Sequence, residues 1–401
     1  MQRWRWVHPA KITLLPLMML VVACASAVAN DLEFDETGYQ AEAVVRGLEN
    51  PWALAFLPQQ DDDPGSGPGL ALVTERPGRL NVLDLDSGEY YEIESGIPEV
   101  AAVGQGGLLD VAVHPEYAEG EAWVYLTYAA ESDEGGEYAT HLGRGRLNIE
   151  ERALEAFEVL LVAEPFDSNN GHFGSRMVFD QENRLYVTVG DRRDRDQAQD
   201  LTNYWGTTVR LEDDGSVPSD NPFVDDDDAH DEIYTYGHRN VQGMAVHPET
   251  GDIWQNEHGE RDGDEINIID QPGGNYGWPI ATHSREYIGG QPIGDLPEER
   301  DDVVNPIYYW DGTQYDDGQE GFAPSGLAFL DGDLFMGNLP YEYLGQFKLE
   351  GAERESVTVR EERRILGGYG RIRDVRRHPE TDDLYVLVDS PDAPVLRVQM
   401  E

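Results

Sequence analysis

The sequence predicts an all-β protein built as a six-bladed β-propeller, and three observations carry that prediction. First, one short pattern returns six times: a small residue or two, an apolar strand-like run, then a His-Pro or acidic turn. The repeats are Pro51–Pro58, Gly107–Pro115, Ser175–Asp180, Gly243–Pro248, Ser325–Asp331 and Ile372–Pro379. Their spacing, roughly 50 to 80 residues, suits a four-stranded blade with insertions. Second, Val, Tyr, Leu and Phe alternate with polar residues between turns rich in Gly, Asp and Pro. Third, no stretch carries the apolar period of a long amphipathic helix. A β-sandwich is the competing architecture, and six similar hairpin units favour radial repetition over it.

Along the chain, the first segment reads as an export signal. Arg3, Arg5 and Lys11 form a positive start, and Ile12–Val22 is apolar but short for a membrane span. Ala27-Val28-Ala29 reads as a cleavage site, so residues 1–29 are a signal peptide and 30–401 a single propeller domain. Val21-Val22-Ala23-Cys24 is a competing lipobox, in which Cys24 would carry a lipid. The protein is therefore expected outside the cytoplasm, periplasmic or extracellular, either free or lipid-anchored. Cys24 is the lone cysteine, so packing or metals rather than disulfides must hold the exported domain. Second strands of the blades are clearest at Arg184–Val189, Asp333–Met336 and Asp383–Val388. Gln59–Gly69 and Asp225–Glu232 read as solvated polar loops.

The formal net charge of -50 narrows the partners. Such a surface repels phosphate backbones and anionic lipid, which excludes nucleic acid and leaves a lipid anchor as the one route to a membrane. Disorder is excluded because 39% of residues are hydrophobic and 10% aromatic, spread along the chain in strand-like runs. Lysine occurs only at Lys11 and Lys348, and every other cation is arginine. Acidic loops with almost no lysine point to a salt-adapted, halophilic protein, because high ionic strength screens the self-repulsion.

Four Gly-rich segments hold polar residues that packing does not require. Asn169–Arg176 contains His172 between glycines, and the strand after it ends in Gly190-Asp191. A histidine oriented by a carboxylate is a minimal general-base pair, although a loop histidine alone is more often a turn residue. Tyr236–Gly243 brings Arg239, Asn240 and Gln242 before a strand, donors suited to a polyoxygenated or anionic ligand. Glu257–Asn267, closed by Gly273–Pro279, suits a hard oxygen-ligand cation, calcium first; acidic surface decoration is the plain alternative. Arg371 and Arg373, at i and i+2, form an anion clamp or else a salt-bridge ladder.

In this order, the segments resemble the PQQ-dependent soluble aldose sugar dehydrogenase (glucose/sorbosone dehydrogenase) family. The resemblance also takes in Leu48–Ala53, Thr74–Gly78 and Gly104–Leu109, and covers nearly the whole mature chain. It implies a six-bladed propeller holding pyrroloquinoline quinone (PQQ) beside calcium, which oxidises aldose sugars and passes electrons to an external acceptor. It implies that His172 is the general base, Asp191 its orienting carboxylate, and Arg239 the stabiliser of charge on the quinone oxygen. Gln105 would lie near sugar and cofactor, and Asn240, Gln242, Arg371 and Arg373 would hold PQQ. The carbonyls of Gly259 and Glu260 would bind the catalytic calcium, and Asp264, Glu265 and the Tyr276 carbonyl further calcium. Two departures stand out. Where family members often carry a lysine for a PQQ carboxylate, this chain reads Asn338-Leu339-Pro340-Tyr341; the family's Gly-Pro of the metal loop is Gly259-Glu260.

Two other functions compete: a calcium-dependent propeller hydrolase of lactones or esters, and a non-catalytic binding propeller. A monomer and a homodimer fit the sequence equally. The charge reading makes one prediction: the protein unfolds when dialysed to low salt and refolds in molar salt. Circular dichroism across a salt series checks it, and a fold indifferent to salt overturns it.

Overall fold

A computed structural model of the chain describes residues 38–58 and 69–400. Residues 1–29 with Cys24, read from the sequence as an export signal, and nearly all of the Gln59–Gly69 loop lie outside the described residues. Strands dominate, and no α-helix occurs among the described residues, only three short 3-10 turns. Six four-stranded antiparallel sheets form the six expected blades.

The six sequence repeats are the innermost strands: Pro51–Phe56, Leu108–Val113, Met177–Phe179, Val241–Val246, Pro324–Leu330 and Ile372–Arg377. Each packs on the next and the last packs on the first, which closes the ring. Strands near the axis are covered on both faces: Pro324–Leu330 and Leu185–Val189 are buried at every position. The outer strand Thr358–Ile365 is largely exposed. Blades 1 to 5 run from axis to rim in chain order. Blade 6 does not: its rim strand is Tyr39–Leu48, which pairs antiparallel with the C-terminal Ala393–Met400. The two ends of the domain are thus zipped together, and the ring has no unpaired opening through which to unwind.

The His-Pro turns have a structural explanation. His114, His247 and His378 each accept, through Nδ1, the backbone N–H of the residue two places on, at 3.1, 3.3 and 3.2 Å. Each ring also meets, edge-on, a phenylalanine of the following blade: His114 on Phe179, His247 on Phe329 and His378 on Phe56. The motif therefore stitches blades 2 to 3, 4 to 5 and 6 to 1 at the turn end of the inner strands.

Four charged groups cross the axis midway along the channel. Arg176 lies 3.4 Å from Asp110 and 3.1 Å from Asp374, and Arg376 lies 3.0 Å from Asp110 and 2.9 Å from Asp374. Asp110 also accepts the Met177 N–H at 2.8 Å, and Asp374 the Leu54 N–H at 3.1 Å. Arg176, Asp110 and Asp374 are all buried, and the Arg176 guanidinium lies 4.0 Å over Trp52. The network separates an apolar cavity of about 540 Å³ at the turn end from a polar one of about 270 Å³ at the other. Removing one member strands a buried charge. Asp110→Ala should cost about 3–5 kcal/mol of unfolding free energy. Guanidinium denaturation at matched salt measures it, and a loss near zero would show that the charges are not coupled.

Candidate active site

The polar cavity is built from the starts of inner strands and the ends of second strands. Five of the six inner strands slip register near their first residues, at Pro51/Ala53, Leu108/Val111, Val241/Gly243, Pro324/Leu327 and Ile372/Asp374. Such bulges re-aim side chains toward the mouth of the channel. The second strands of blades 1, 3, 4, 5 and 6 deliver polar residues at the same level: Glu75, Asp191, Glu257, Asn338 and Asp389.

His172 sits on the loop before the blade 3 inner strand, at φ +53°. Its Nδ1 lies 2.6 Å from Asp191 Oδ1. Gly190 makes the approach feasible: an added Cβ there would lie 2.2 Å from the His172 carbonyl oxygen. The His172 N–H donates to Gln105 Oε1 at 2.8 Å, which ties the histidine loop to blade 2. Asp191 Oδ2 accepts the Trp278 indole N–H at 2.8 Å, and the Asp191 N–H donates to the Arg239 carbonyl at 2.8 Å. With Nδ1 committed to Asp191, Nε2 is the imidazole atom left for a ligand proton. Burial pushes the His172 pKa below its ordinary value; Asp191 opposes the shift, while the charges of Arg239 and Arg193 reinforce it. Burial works against the Asp191 charge, but His172, Arg239 and the Arg193 N–H together hold its carboxyl below the usual range.

Arg239 is fixed through its backbone, whose N–H donates to Glu257 Oε2 at 2.6 Å. Its guanidinium stacks 5.2 Å from the Trp278 ring centre, and its buried Nε has no partner among the described residues. Asn240 Oδ1 accepts Gly174 N–H and Gln242 Nε2, both at 3.3 Å. Gln242 Oε1 accepts Arg373 Nη1 at 3.0 Å, and Arg373 Nη2 lies 3.4 Å from Asp389. Arg371 lies 3.5 Å from the same carboxylate. Burial lowers the Arg373 pKa to about 10, Asp389 opposing, so it stays cationic; its Nε too is buried without a partner. Gln105, Asn240, Gln242, Arg371 and Arg373 all line the cavity, with Trp52, Arg76, Phe173, His258 and Asp389. Three guanidinium groups on a cavity wall, one with an unpartnered donor, are the chemistry a polycarboxylate ligand needs.

The Glu257–Asn267 segment lies beside Arg239. A void with room for one water-sized particle is lined by Arg239, Glu257, His258, Gly259, Glu265 and Tyr276, among others. None of the Gly259, Glu260 and Tyr276 carbonyls accepts a hydrogen bond from the described residues. Glu265 is buried near Glu257, the Asn267 amide lying 3.2 Å from each, and burial with that second charge raises its pKa well above the usual carboxylate range. Free carbonyls and an uncompensated carboxylate are an all-oxygen donor set that fits a hard cation. Asp264 also holds backbone groups. Its Oδ1 accepts the Gly259 N–H at 2.9 Å and its Oδ2 the Phe322 and Ala323 N–H groups at 2.7 Å, which tethers this loop to blade 5. Among the described residues no three His, Cys, Asp or Glu side chains converge on a metal position. The acidic loop Asp225–Glu232 stands apart, its aspartates 225–228 exposed.

Trp278, Asp389 and Arg76 escaped selection by sequence, although Trp278 and Arg76 stand inside quoted motifs. Asp389 follows its blade's second strand as Asp191 follows its own, so alignment of the repeats could have found it.

A six-bladed propeller with a His–Asp pair and an arginine-lined cavity at one mouth defines a class, and sequence comparison gives the family. The glucose/sorbosone dehydrogenase family model matches residues 48–397. The chain belongs to that family. It is 38% identical to the aldose sugar dehydrogenase YliI of Escherichia coli over 98% of this chain and 99% of that one. The apo-form crystal structure of the soluble aldose sugar dehydrogenase of E. coli superposes with a TM-score of 0.80 at 36% identity, covering 90% of this chain and 100% of that one. The PQQ-bound aldose sugar dehydrogenase of Streptomyces coelicolor superposes with a TM-score of 0.71 at 27% identity, covering 92% and 100%.

The His172 environment makes a prediction for the protein without cofactor. Its imidazole, followed by NMR, titrates below 6.5, the ordinary value. Asp191→Asn removes the main opposing influence and lowers the value further. A rise in that variant would mean that Asp191 does not face His172 in solution.

Proposed function

We propose that this protein is a PQQ- and calcium-dependent dehydrogenase that oxidises aldose sugars at C1 to lactones. The observation that carries the reading is the His172–Asp191 pair beside a cavity lined by Arg76, Arg371 and Arg373, the last with a buried Nε that has no partner among the described residues. Arg371 and Arg373 would take carboxylates of the cofactor, with Asn240 and Gln242 holding its edge. The Gly259 and Glu260 carbonyls would hold calcium against it, and Glu265 with the Tyr276 carbonyl would complete further oxygen ligation. When bound, PQQ supplies the two-electron acceptor for the hydride leaving C1.

The protein's own residues do the rest. His172 Nε2 takes the proton of the anomeric hydroxyl, which frees the oxygen's electron pair to form the lactone carbonyl as hydride departs. Asp191 holds the imidazole in the tautomer that leaves Nε2 unprotonated, and stabilises the imidazolium that forms. Arg239, positioned by Glu257 and Trp278, would supply positive charge to the quinone oxygen of bound PQQ. Gln105 steadies the histidine loop beside the sugar. The lactone leaves, and the electrons would go on to an external acceptor. The setting we propose is extracytoplasmic and salty, after export directed by residues 1–29, with or without a lipid on Cys24.

Apo-protein titrated with PQQ in high salt and calcium should bind stoichiometrically, and added aldose should then shift the near-ultraviolet absorbance of the cofactor. Absence of binding at micromolar PQQ would overturn the reading in favour of a lactone hydrolase or a binding propeller. His172→Ala should bind PQQ normally yet lose about 10²–10⁴-fold in sugar oxidation. Turnover near the wild-type rate would remove His172 from the mechanism.

A further inference from the structure

In a chain with 79 acidic and 29 basic residues, an arginine without a carboxylate needs a reason. Arg76, Arg192, Arg193 and Arg239 make no ion pair among the described residues. Three have other occupations. Arg192 packs 3.7 Å over Phe173 and donates to the Asn169 carbonyl. Arg193 lies against Gly171, and Arg239 over Trp278. Arg76, by contrast, lines the cavity itself, from the blade 1 wall.

The place of Arg76 is fixed by its backbone. Its carbonyl accepts the Leu108 N–H at 3.1 Å, and its N–H donates to the Asn50 carbonyl at 3.1 Å. Gly107, at φ +134°, permits the approach, since an added Cβ would lie 2.1 Å from the Arg76 carbonyl oxygen. The guanidinium reaches the Gly104 carbonyl through Nη2 and the Gly106 carbonyl through Nε at 3.4 Å. Nη1 makes no hydrogen bond among the described residues. Asp389, the one acid lining the cavity, is shared between Arg371 and Arg373. The charge of Arg76 is felt by both Arg373 and Asp389, so the three arginines act on one space. The blade 5 wall contributes Leu339 and Pro340, and no cation.

We propose that Arg76 is a cofactor-binding residue: its guanidinium takes a carboxylate of the bound polycarboxylate from the blade 1 side, across from a blade 5 wall that has no cation. The inference rests on PQQ being the cofactor. Three guanidinium groups against one resident carboxylate leave the cavity cationic, which suits a ligand with several carboxylates better than a neutral sugar. The competing role is a brace, because Gly104 and Gly106 flank Gln105, and Gln105 holds the His172 loop.

The test is equilibrium titration of apo-protein with PQQ in calcium and high salt, for wild type, R76A and R76K, with thermal melting of each apo-protein alongside. R76Q replaces R76A should the latter not fold. Loss of the charge should weaken PQQ binding on the order of 10- to 100-fold. R76K should recover most of that loss, and the apo-protein melting temperatures should agree. PQQ binding by R76A as tight as wild type overturns the proposal. So does R76K binding as weakly as R76A with a lowered melting temperature, which is the signature of a brace. If wild type binds no PQQ, the cofactor assignment fails first and this inference falls with it.

Discussion

The four-charge network on the propeller axis is the constraint from which the site is hung. Two arginines and two aspartates brought into the channel would each be costly alone; together they balance in charge. The network also reaches further than its own members. Arg176 donates through Nε to the Gln242 carbonyl at 2.7 Å and through Nη2 to the Arg373 carbonyl at 3.0 Å. Asp110 and Asp374 hold backbone N–H groups of blades 3 and 1. Inner strands of every blade but the fifth are thereby referred to one point, and two cavity residues, Gln242 and Arg373, are positioned by their main chain from below. Blade 5 joins by another route, since Ser325 donates to the Ile372 carbonyl at 2.7 Å and its own carbonyl accepts the Asn256 amide at 2.8 Å.

Above this floor, the site follows one rule of construction. Five inner strands begin with a bulge, second strands of five blades end at a polar residue, and the two meet at the rim. The rule yields Arg239 and Glu257 in blade 4 and Arg373 and Asp389 in blade 6; blade 3 lacks the bulge and sets His172, on the loop before its inner strand, against Asp191. Each carboxylate is answered by a group of its own or a neighbouring strand. Glu265 is answered only by the Asn267 amide, buried beside Glu257 with no cation among the described residues, and it lies next to carbonyls that accept nothing from them. Arginine surplus at one wall and carboxylate surplus at the adjoining loop are complementary demands for an anionic cofactor and a hard cation.

Much of this was legible beforehand. The six repeats were visible because each inner strand must be apolar on both faces and must turn sharply at its end, and both requirements write themselves into residue type. The His-Pro turns were visible for the same reason, although their pairing with phenylalanines of the following blade was not. Gly190, Gly237 and Gly259 advertised the polar segments, since loops that approach other backbone closely exclude a Cβ. Less legible were groups whose partners are far away in the chain: Trp278 lies 87 residues from Asp191, and Gln242 lies 131 from Arg373. Asp264 shows the opposite limit. Its residue type suits a calcium ligand, and only its contacts reveal that both oxygens serve backbone N–H groups of blade 5 and its own loop.

By itself, then, the sequence determined the class of fold, the count of blades and the position of every inner strand, and it singled out His172, Arg239, Arg371 and Arg373. These are local properties, set by apolar alternation, turn chemistry and glycine placement over a few residues. The tertiary structure alone decided how the ring closes, with residues 39–48 completing the blade begun at Ile372. It decided that Asp110, Arg176, Asp374 and Arg376 neutralise one another on the axis, and that Arg76 faces the cavity without a carboxylate. Such outcomes depend on which charges come within a few ångströms after six blades have closed. Coulomb and desolvation energies depend on that separation and burial, and neither is written in the order of residues along the chain.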